Sequence, residues 1–355
     1  MLACCFLTGS ARAQSPADSS GSTGARLLPL PILFYTPETR LAGGASLLYF
    51  YRDDEADRTA RPSTVSLLAI YTQEKQFTLQ LGGELYPAHG LYRIETSVLG
   101  ERYPSKFYGI GNVTAASQEE AYTVKRVGID LSAMRQVADG ARAGIVIRWE
   151  RSSIVDRVSG GMLDGGTVPG SFESTVSGAG IQASWDTREN IFAPTTGNFT
   201  TASVVSFGRM LGGTNVFTKV KLDARQYVPL TEEQVLALQF IGVLIDGTAP
   251  FRELARLGGS NNLRGYYEGR YRDNDVAVLQ AEYRVPIIGR FGAAAFAGVG
   301  EVARRPGEIS LPGLWFAGGL GVRFAFNPQE RLNIRLDMGW GNNSSGLYIT
   351  AGEAF

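Results

Sequence analysis

Leu332-Asn-Ile-Arg-Leu-Asp-Met-Gly-Trp340 decides the fold. Successive side chains of a strand point to opposite faces, so a period of two separates Leu332, Ile334, Leu336, Met338 and Trp340 from Asn333, Arg335, Asp337 and Gly339. One face suits lipid and the other water. Phe77–Tyr86 divides the same way, with Phe77, Leu79, Leu81 and Leu85 against Thr78, Gln80, Glu84 and Tyr86. In Lys219–Val228, Val220, Leu222, Ala224 and Val228 oppose Lys219, Lys221, Asp223, Arg225 and Tyr227. Alternation by itself also describes a soluble all-β protein with one wet face. Charges of both signs along one face, however, fit the polar lumen of a membrane barrel better than a sandwich core. Tyr49, Tyr51, Trp149, Trp185 and Trp340, near segment ends, suit interfacial girdles.

Working outward from this segment, fifteen alternating stretches can be counted between Leu41 and Phe355, each broken by Gly, Pro, Asn or Asp. Single-chain bacterial barrels have even strand numbers. One strand is therefore missing, either Leu28–Tyr35 or a piece of Tyr103–Thr114, and the expected fold is an all-β, antiparallel transmembrane barrel of about sixteen strands. Such barrels have short periplasmic turns and long external loops. With Phe355 in the periplasm, Pro286–Arg290, Asn327–Arg331 and Pro229–Gln234 become periplasmic turns. Gly247–Asn274, Ser153–Ser174 and Arg304–Gly313 become external loops. An exposed terminal Phe355 after alternating residues resembles the C-terminal signal read by outer-membrane assembly machinery.

The 355 residues show no composition break after residue 26, which predicts one domain over 27–355. Residues 1–13 read as a secretory signal that lacks a positive n-region and is truncated: an apolar run Leu2–Leu7, then Ala11-Arg12-Ala13, with cleavage before Gln14. Residues 14–26 read as a flexible leader, with Ser, Gly and Thr over Ser15–Gly24. Cys4 and Cys5, the only cysteines, fall in the signal, so the mature chain is expected to hold no disulfide or cysteine metal site. The 34 basic and 34 acidic residues cancel without segregation, which excludes a nucleic-acid footprint.

Chemistry-bearing motifs are sparse. The sole histidine, His89, lies in a Pro87-Ala-His-Gly90 turn and reads as solvated rather than catalytic. There is no nucleophile elbow, no zinc-protease helix motif and no phosphate-cradling glycine fingerprint. No enzyme, cofactor or metal is expected. Asp53, Asp54, Glu55 and Asp57 form an acidic cluster that reads first as a solvated loop and second as a divalent-cation site at a lipopolysaccharide surface.

The most specific stretch is Leu257-Gly-Gly-Ser-Asn-Asn-Leu-Arg-Gly-Tyr266, followed by Tyr267-Glu-Gly-Arg270. It resembles the Arg-Gly-Tyr/Phe signature in the sixth extracellular loop of the BamA/TamA (bacterial surface antigen) superfamily of sixteen-stranded barrels. Trp185–Gly197 is similar to that family's turn motif, with Asp186, Arg188, Asn190, Pro194 and Gly197 at the matching places. Ala281–Pro286, Gly318–Arg323, Gly352–Phe355 and, more loosely, Phe107–Asn112 agree in order.

The resemblance implies a loop folded into the lumen, with Arg264, Gly265 and Tyr266 as its signature and Arg264 held by acidic residues downstream. Physically, Gly265 permits positive φ, and an Arg in a confined lumen requires a paired acid. Gly298 stands where the family's Phe-x-Asp-x-Gly segment has its Asp. Inward parity points to Glu282 and Asp337 as substitute partners. The resemblance further implies insertion of outer-membrane proteins or polypeptide translocation through a weak seam between first and last strands. The alternative is a passive or structural outer-membrane barrel. The short span before the first apolar stretch predicts a version lacking the periplasmic polypeptide-transport-associated domains. The partners implied are outer-membrane lipid and lipopolysaccharide, nascent outer-membrane proteins or a periplasmic partner.

Overall fold

A computed structural model describes residues 26–51 and 63–355. The strands are β1 (Arg26–Thr36), β2 (Arg40–Tyr51), β3 (Ser63–Thr72), β4 (Phe77–Leu85), β5 (Tyr92–Phe107), β6 (Glu120–Ala138), β7 (Ala141–Arg157), β8 (Glu173–Asp186) and β9 (Gly197–Phe207). They continue with β10 (Phe217–Pro229), β11 (Val235–Gly247), β12 (Ala255–Leu257), β13 (Tyr271–Asp273), β14 (Asp275–Ile288), β15 (Phe291–Ala303), β16 (Trp315–Asn327), β17 (Leu332–Gly341) and β18 (Ser344–Ala351). Strands β12 and β13 pair only with each other, inside the longest loop; the other sixteen close one antiparallel barrel in chain order. The strand left open by the sequence is Arg26–Thr36, while most of Tyr103–Thr114 divides between the end of β5 and the loop after it. No helix among the described residues is long and apolar enough to cross a membrane.

Period-two patterning explains the two faces. Phe77, Leu79 and Leu81 are exposed on the outer wall, while Thr78, Gln80 and Glu84 are buried inside it. On β17, Ile334, Leu336 and Trp340 face out while Arg335 and Asp337 are enclosed. Such an outer belt has no low-energy environment but hydrocarbon. Most connections at the end carrying Phe355 are tight, such as Asp139-Gly140 between β6 and β7 and Gly289-Arg290 between β14 and β15, whereas residues 158–172, 248–274 and 304–314 lie at the far end.

Two features depart from a uniform barrel. Strand β1 is paired with β2 from Arg26 opposite Phe50 to Thr36 opposite Arg40, yet it meets β18 at a single aligned pair, Tyr35 opposite Ile349. The cause lies partly in β18, which leaves the wall at Gly352, where φ is +80°. The following tail turns inward. Glu353 accepts from Arg323 Nε at 2.7 Å and from Asn333 Nδ2 at 2.7 Å, and the Phe355 carbonyl accepts from Arg284 at 2.7 Å. Phe355 is therefore not exposed: it is buried with Tyr227, Val235 and Ala237 on the inner face of β10 and β11.

The expected signal, most of the expected leader and the cluster Asp53, Asp54, Glu55 and Asp57 lie outside the described residues.

Candidate functional site

The longest loop, residues 248–274, folds into the barrel, where Arg264 is 2 % exposed. Gly265 makes this approach possible. Its φ is +121°, and a Cβ there would lie 2.8 Å from the Trp340 carbonyl carbon. Across the contact, a Cβ on Gly339 would lie 2.8 Å from the Arg264 backbone, so loop and wall touch backbone to backbone. The Gly265 N–H donates to the Tyr348 hydroxyl at 3.0 Å.

The Arg264 guanidinium bridges two carboxylates, donating through Nη2 to Glu282 and through Nη1 to Asp337, while it stacks 3.6 Å above the Phe296 ring. Both acids are fully enclosed. Asp337 also accepts from Arg335 at 3.0 Å and from Arg323, and Glu282 accepts from Arg284 at 2.8 Å and Arg323 at 3.2 Å. Glu353 of the tail joins the same network through Arg323. A buried carboxylate this far from water is tolerable only with several charge-assisted donors, and here each has at least two.

Gly298, where the family pattern places an acid, serves packing instead. A Cβ there would meet Gln280 Cβ at 2.9 Å and Leu263 Cδ1 at 3.0 Å. Leu263 of the loop fills that space, with its N–H on Gln280 Oε1 at 3.2 Å. The acid function sits on β14 and β17, either side of the vacant place.

Tyr266, 1 % exposed, donates to the Phe316 carbonyl at 2.8 Å and accepts from the Asn342 N–H at 2.8 Å. Its ring occupies the space a side chain on Gly341 would take, 2.4 Å from a Cβ there. Tyr271 and Trp315 stack at 4.4 Å beside it.

A second anchor went unread in the sequence. Glu253 accepts two bonds from Arg148, both 2.9 Å, and one from Lys219 at 3.1 Å, and Arg252 reaches Glu150 at 3.1 Å. The loop is thus tied to β7 and β10 on one wall and to β14 and β17 on the other. Parity puts Arg148, Glu150 and Lys219 on inner faces, but nothing local says which loop residue crosses the lumen to meet them. Phe107–Asn112 lies over the same loop: Phe107 packs edge-on against Phe251, and Asn112 Oδ1 accepts from Trp315 Nε1 at 2.9 Å.

The turn motif stands apart from this cluster, at the Phe355 end between β8 and β9. Arg188 holds Asp186 with two bonds of 2.9 Å, and Asn190 Oδ1 accepts from the N–H groups of Phe192 and Ala193. Pro194 is buried, and Gly197 at φ +90° would place a Cβ 2.3 Å from the Thr187 carbonyl. Burial pushes the Glu189 carboxyl up, but hydrogen bonds from Thr195 and Thr196 outweigh it and hold the group below the usual carboxylate range. His89 sits in its turn at φ +54°. Among the described residues no three metal-binding side chains converge.

Comparison with known proteins gives the same architecture. The Omp85 superfamily domain matches residues 75–355. Among solved structures, BamA from Haemophilus ducreyi lacking POTRA domains 1-3 superposes with a TM-score of 0.63 at 13 % identity, covering 92 % of this chain and 70 % of that one. CdiB from Escherichia coli gives 0.60 at 9 % identity, covering 94 % and 64 %, and CdiB from Acinetobacter baumannii 0.56 at 12 %, covering 92 % and 65 %. This chain thus spans about two thirds of the length of each CdiB chain. No curated protein matches in sequence. At such identities the superpositions establish a shared fold.

Proposed function

The chain belongs to the Omp85 superfamily, and from that membership we propose that it resides in the bacterial outer membrane, with Phe355 toward the periplasm, and acts in the insertion of outer-membrane proteins or the translocation of polypeptide. The observation that carries this reading is the seam. Every other neighbouring pair of strands in the barrel is aligned along most of its length, whereas β1 and β18 share the single pair Tyr35–Ile349. A wall opens where the fewest ladder hydrogen bonds must break, and an opened wall offers strand edges to a passing chain. The loop anchored by Arg264 and Glu253 lies inside the barrel and reaches β18 through the Gly265 N–H on Tyr348, so it obstructs a path through the lumen and favours lateral movement of the wall as the route for a client. Nascent outer-membrane proteins or a periplasmic partner are the interactors that follow.

Depletion in the native host, with quantification of the outer-membrane proteome, tests the proposal. Loss of other barrels or of a secreted polypeptide is expected. Unchanged levels of both would leave the passive-barrel alternative. A Tyr35→Cys, Ile349→Cys pair, in a chain with Cys4 and Cys5 replaced by Ser, supplies the mechanistic arm. Oxidation should abolish activity and reduction should restore it.

A further inference from the structure

Strand β1 differs from its neighbours in two ways that the polypeptide reading does not use. The first is its edge. In an antiparallel ladder the N–H and C=O of one residue point to the same neighbour. Pro29 and Pro31 have no N–H, and they lie opposite Leu47 and Ala45 in an unbroken ladder with β2. Their backbone positions must therefore face away from β2. That parity includes Tyr35, which reaches Ile349, so both prolines lie on the seam edge. From Leu27 to Phe34 this edge has no partner, a length of roughly 25 Å at about 3.3 Å per residue. It offers carbonyl acceptors at two consecutive seam positions and no donors there.

The second is its inner face. Elsewhere the inward apolar side chains, such as Phe217, Val243, Ile245 and Val278, are buried beneath the inturned loop, among polar ones such as Gln80, Glu84, Glu150, Lys219, Glu282, Arg335 and Asp337. On β1 the same parity carries Leu28, Leu30, Ile32 and Phe34, flanked by Leu48 and Phe50 on β2 and Ile70 on β3. Leu28 is 44 % exposed, and Leu30, Ile32 and Phe34 are half-buried. The outer face of β1 is apolar too, with Leu27 and Leu33 exposed. Apolar surface is thus continuous from the lipid belt, around an unpaired edge, onto the inside of the barrel.

We propose that this edge is a lateral lipid port: acyl chains of the surrounding membrane pass between β1 and the inturned end of β18 and lie against Leu28, Leu30, Ile32 and Phe34. An unpaired N–H in hydrocarbon is costly, and the prolines remove two such groups where the edge meets lipid. The apolar inner face favours acyl chains over an ordinary membrane strand, whose polar face would turn toward the patch and whose carbonyls opposite Pro29 and Pro31 would find no donor.

The port is tested without any client, so its failure is distinct from failure of the polypeptide reading. In a chain with Cys4 and Cys5 replaced by Ser, single cysteines Leu30→Cys, Ile32→Cys, Leu33→Cys and Glu95→Cys carry a nitroxide. Each protein is placed in phosphatidylcholine and phosphatidylglycerol vesicles, with heat-modifiable gel migration confirming the fold. Collisions with oxygen report lipid, and collisions with a water-soluble nickel chelate report water. Labels at positions 30 and 32 should match the outer position 33 and exceed the lumen position 95 several-fold in their oxygen-to-nickel ratio. Nickel access equal to that at position 95 would mean a watery lumen and overturn the port. Protection from both reagents would mean that protein covers the patch, and would overturn it equally. Two inner positions keep the test intact if one variant fails to fold.

Discussion

Arg264 shows how much energy one side chain can concentrate. Replacing it by Ala leaves Glu282 and Asp337 enclosed with fewer donors, and removing one member of a buried ion pair typically costs about 3–5 kcal/mol. The unfolding free energy of the Arg264→Ala protein, from urea titration in vesicles, should fall by that order. Arg264→Lys should recover only part, since a single ammonium cannot span both carboxylates and stack on Phe296. Charge reversal at both Glu282 and Asp337 with folding and function intact would refute a lock at Arg264. Gly298 gives an opposite-signed test. If the site wanted an acid there, Gly298→Asp would strengthen it, but a Cβ at that place meets Gln280 at 2.9 Å and Leu263 at 3.0 Å. The variant should instead lower the unfolding midpoint, and a raised midpoint would show that Leu263 can yield. Glu282 and Asp337 were legible because parity alone assigns a face. That Gly298 makes room for a loop residue was not, because the fit depends on a contact formed only after the loop enters the barrel.

At the scale of elements, the strands were readable because lipid and lumen impose opposite demands on alternate residues, a signal that survives wherever both faces are in their usual environments. It fails at β1, whose two faces are both apolar, and this is why the sequence left that strand undecided. The inward tail escaped for a related reason: Gly352–Phe355 continues the alternation of β18, and only the turn at Gly352 diverts it. The edge prolines yield a prediction whose sign is diagnostic. Pro-to-Val changes within a paired strand normally help, since they restore a ladder donor. On an edge facing hydrocarbon they add two unsatisfied N–H groups, at about 1–3 kcal/mol each. Pro29→Val with Pro31→Val should therefore destabilise the barrel in vesicles, and greater stability would mean that the edge is paired. The β8–β9 turn gives a pH test. Glu189 is held below its ordinary value of 4.5, so its contribution is present above that value and is lost as pH falls through the lower folded value. Amide protection at Thr195 and Thr196, corrected for intrinsic exchange, should drop on acidification through this range in the wild type. In Glu189→Gln the pH step should vanish.

For the whole molecule, the barrel is closed by sixteen strands yet occupied by its own chain, with loop 248–274 inside the wall and the tail Gly352–Phe355 across its inner face at the opposite end. A sixteen-stranded wall of ordinary shear would enclose an aqueous channel if emptied. The loop's two anchors, Arg264 on β14 and β17 and Glu253 on β7 and β10, lie on different walls, so neither alone fixes its position. Releasing one should let the loop pivot about the other, whereas releasing both should let it leave. In planar bilayers the wild type is therefore expected to conduct little. Arg264→Ala and Glu253→Ala singly should give brief, partial openings, and the double variant should give long openings larger than the sum of the two. Independent effects that merely add would show that the loop is not held as one body. Porin-like conductance in the wild type would show that the plug does not seal, and would move the path of any client from the seam to the lumen.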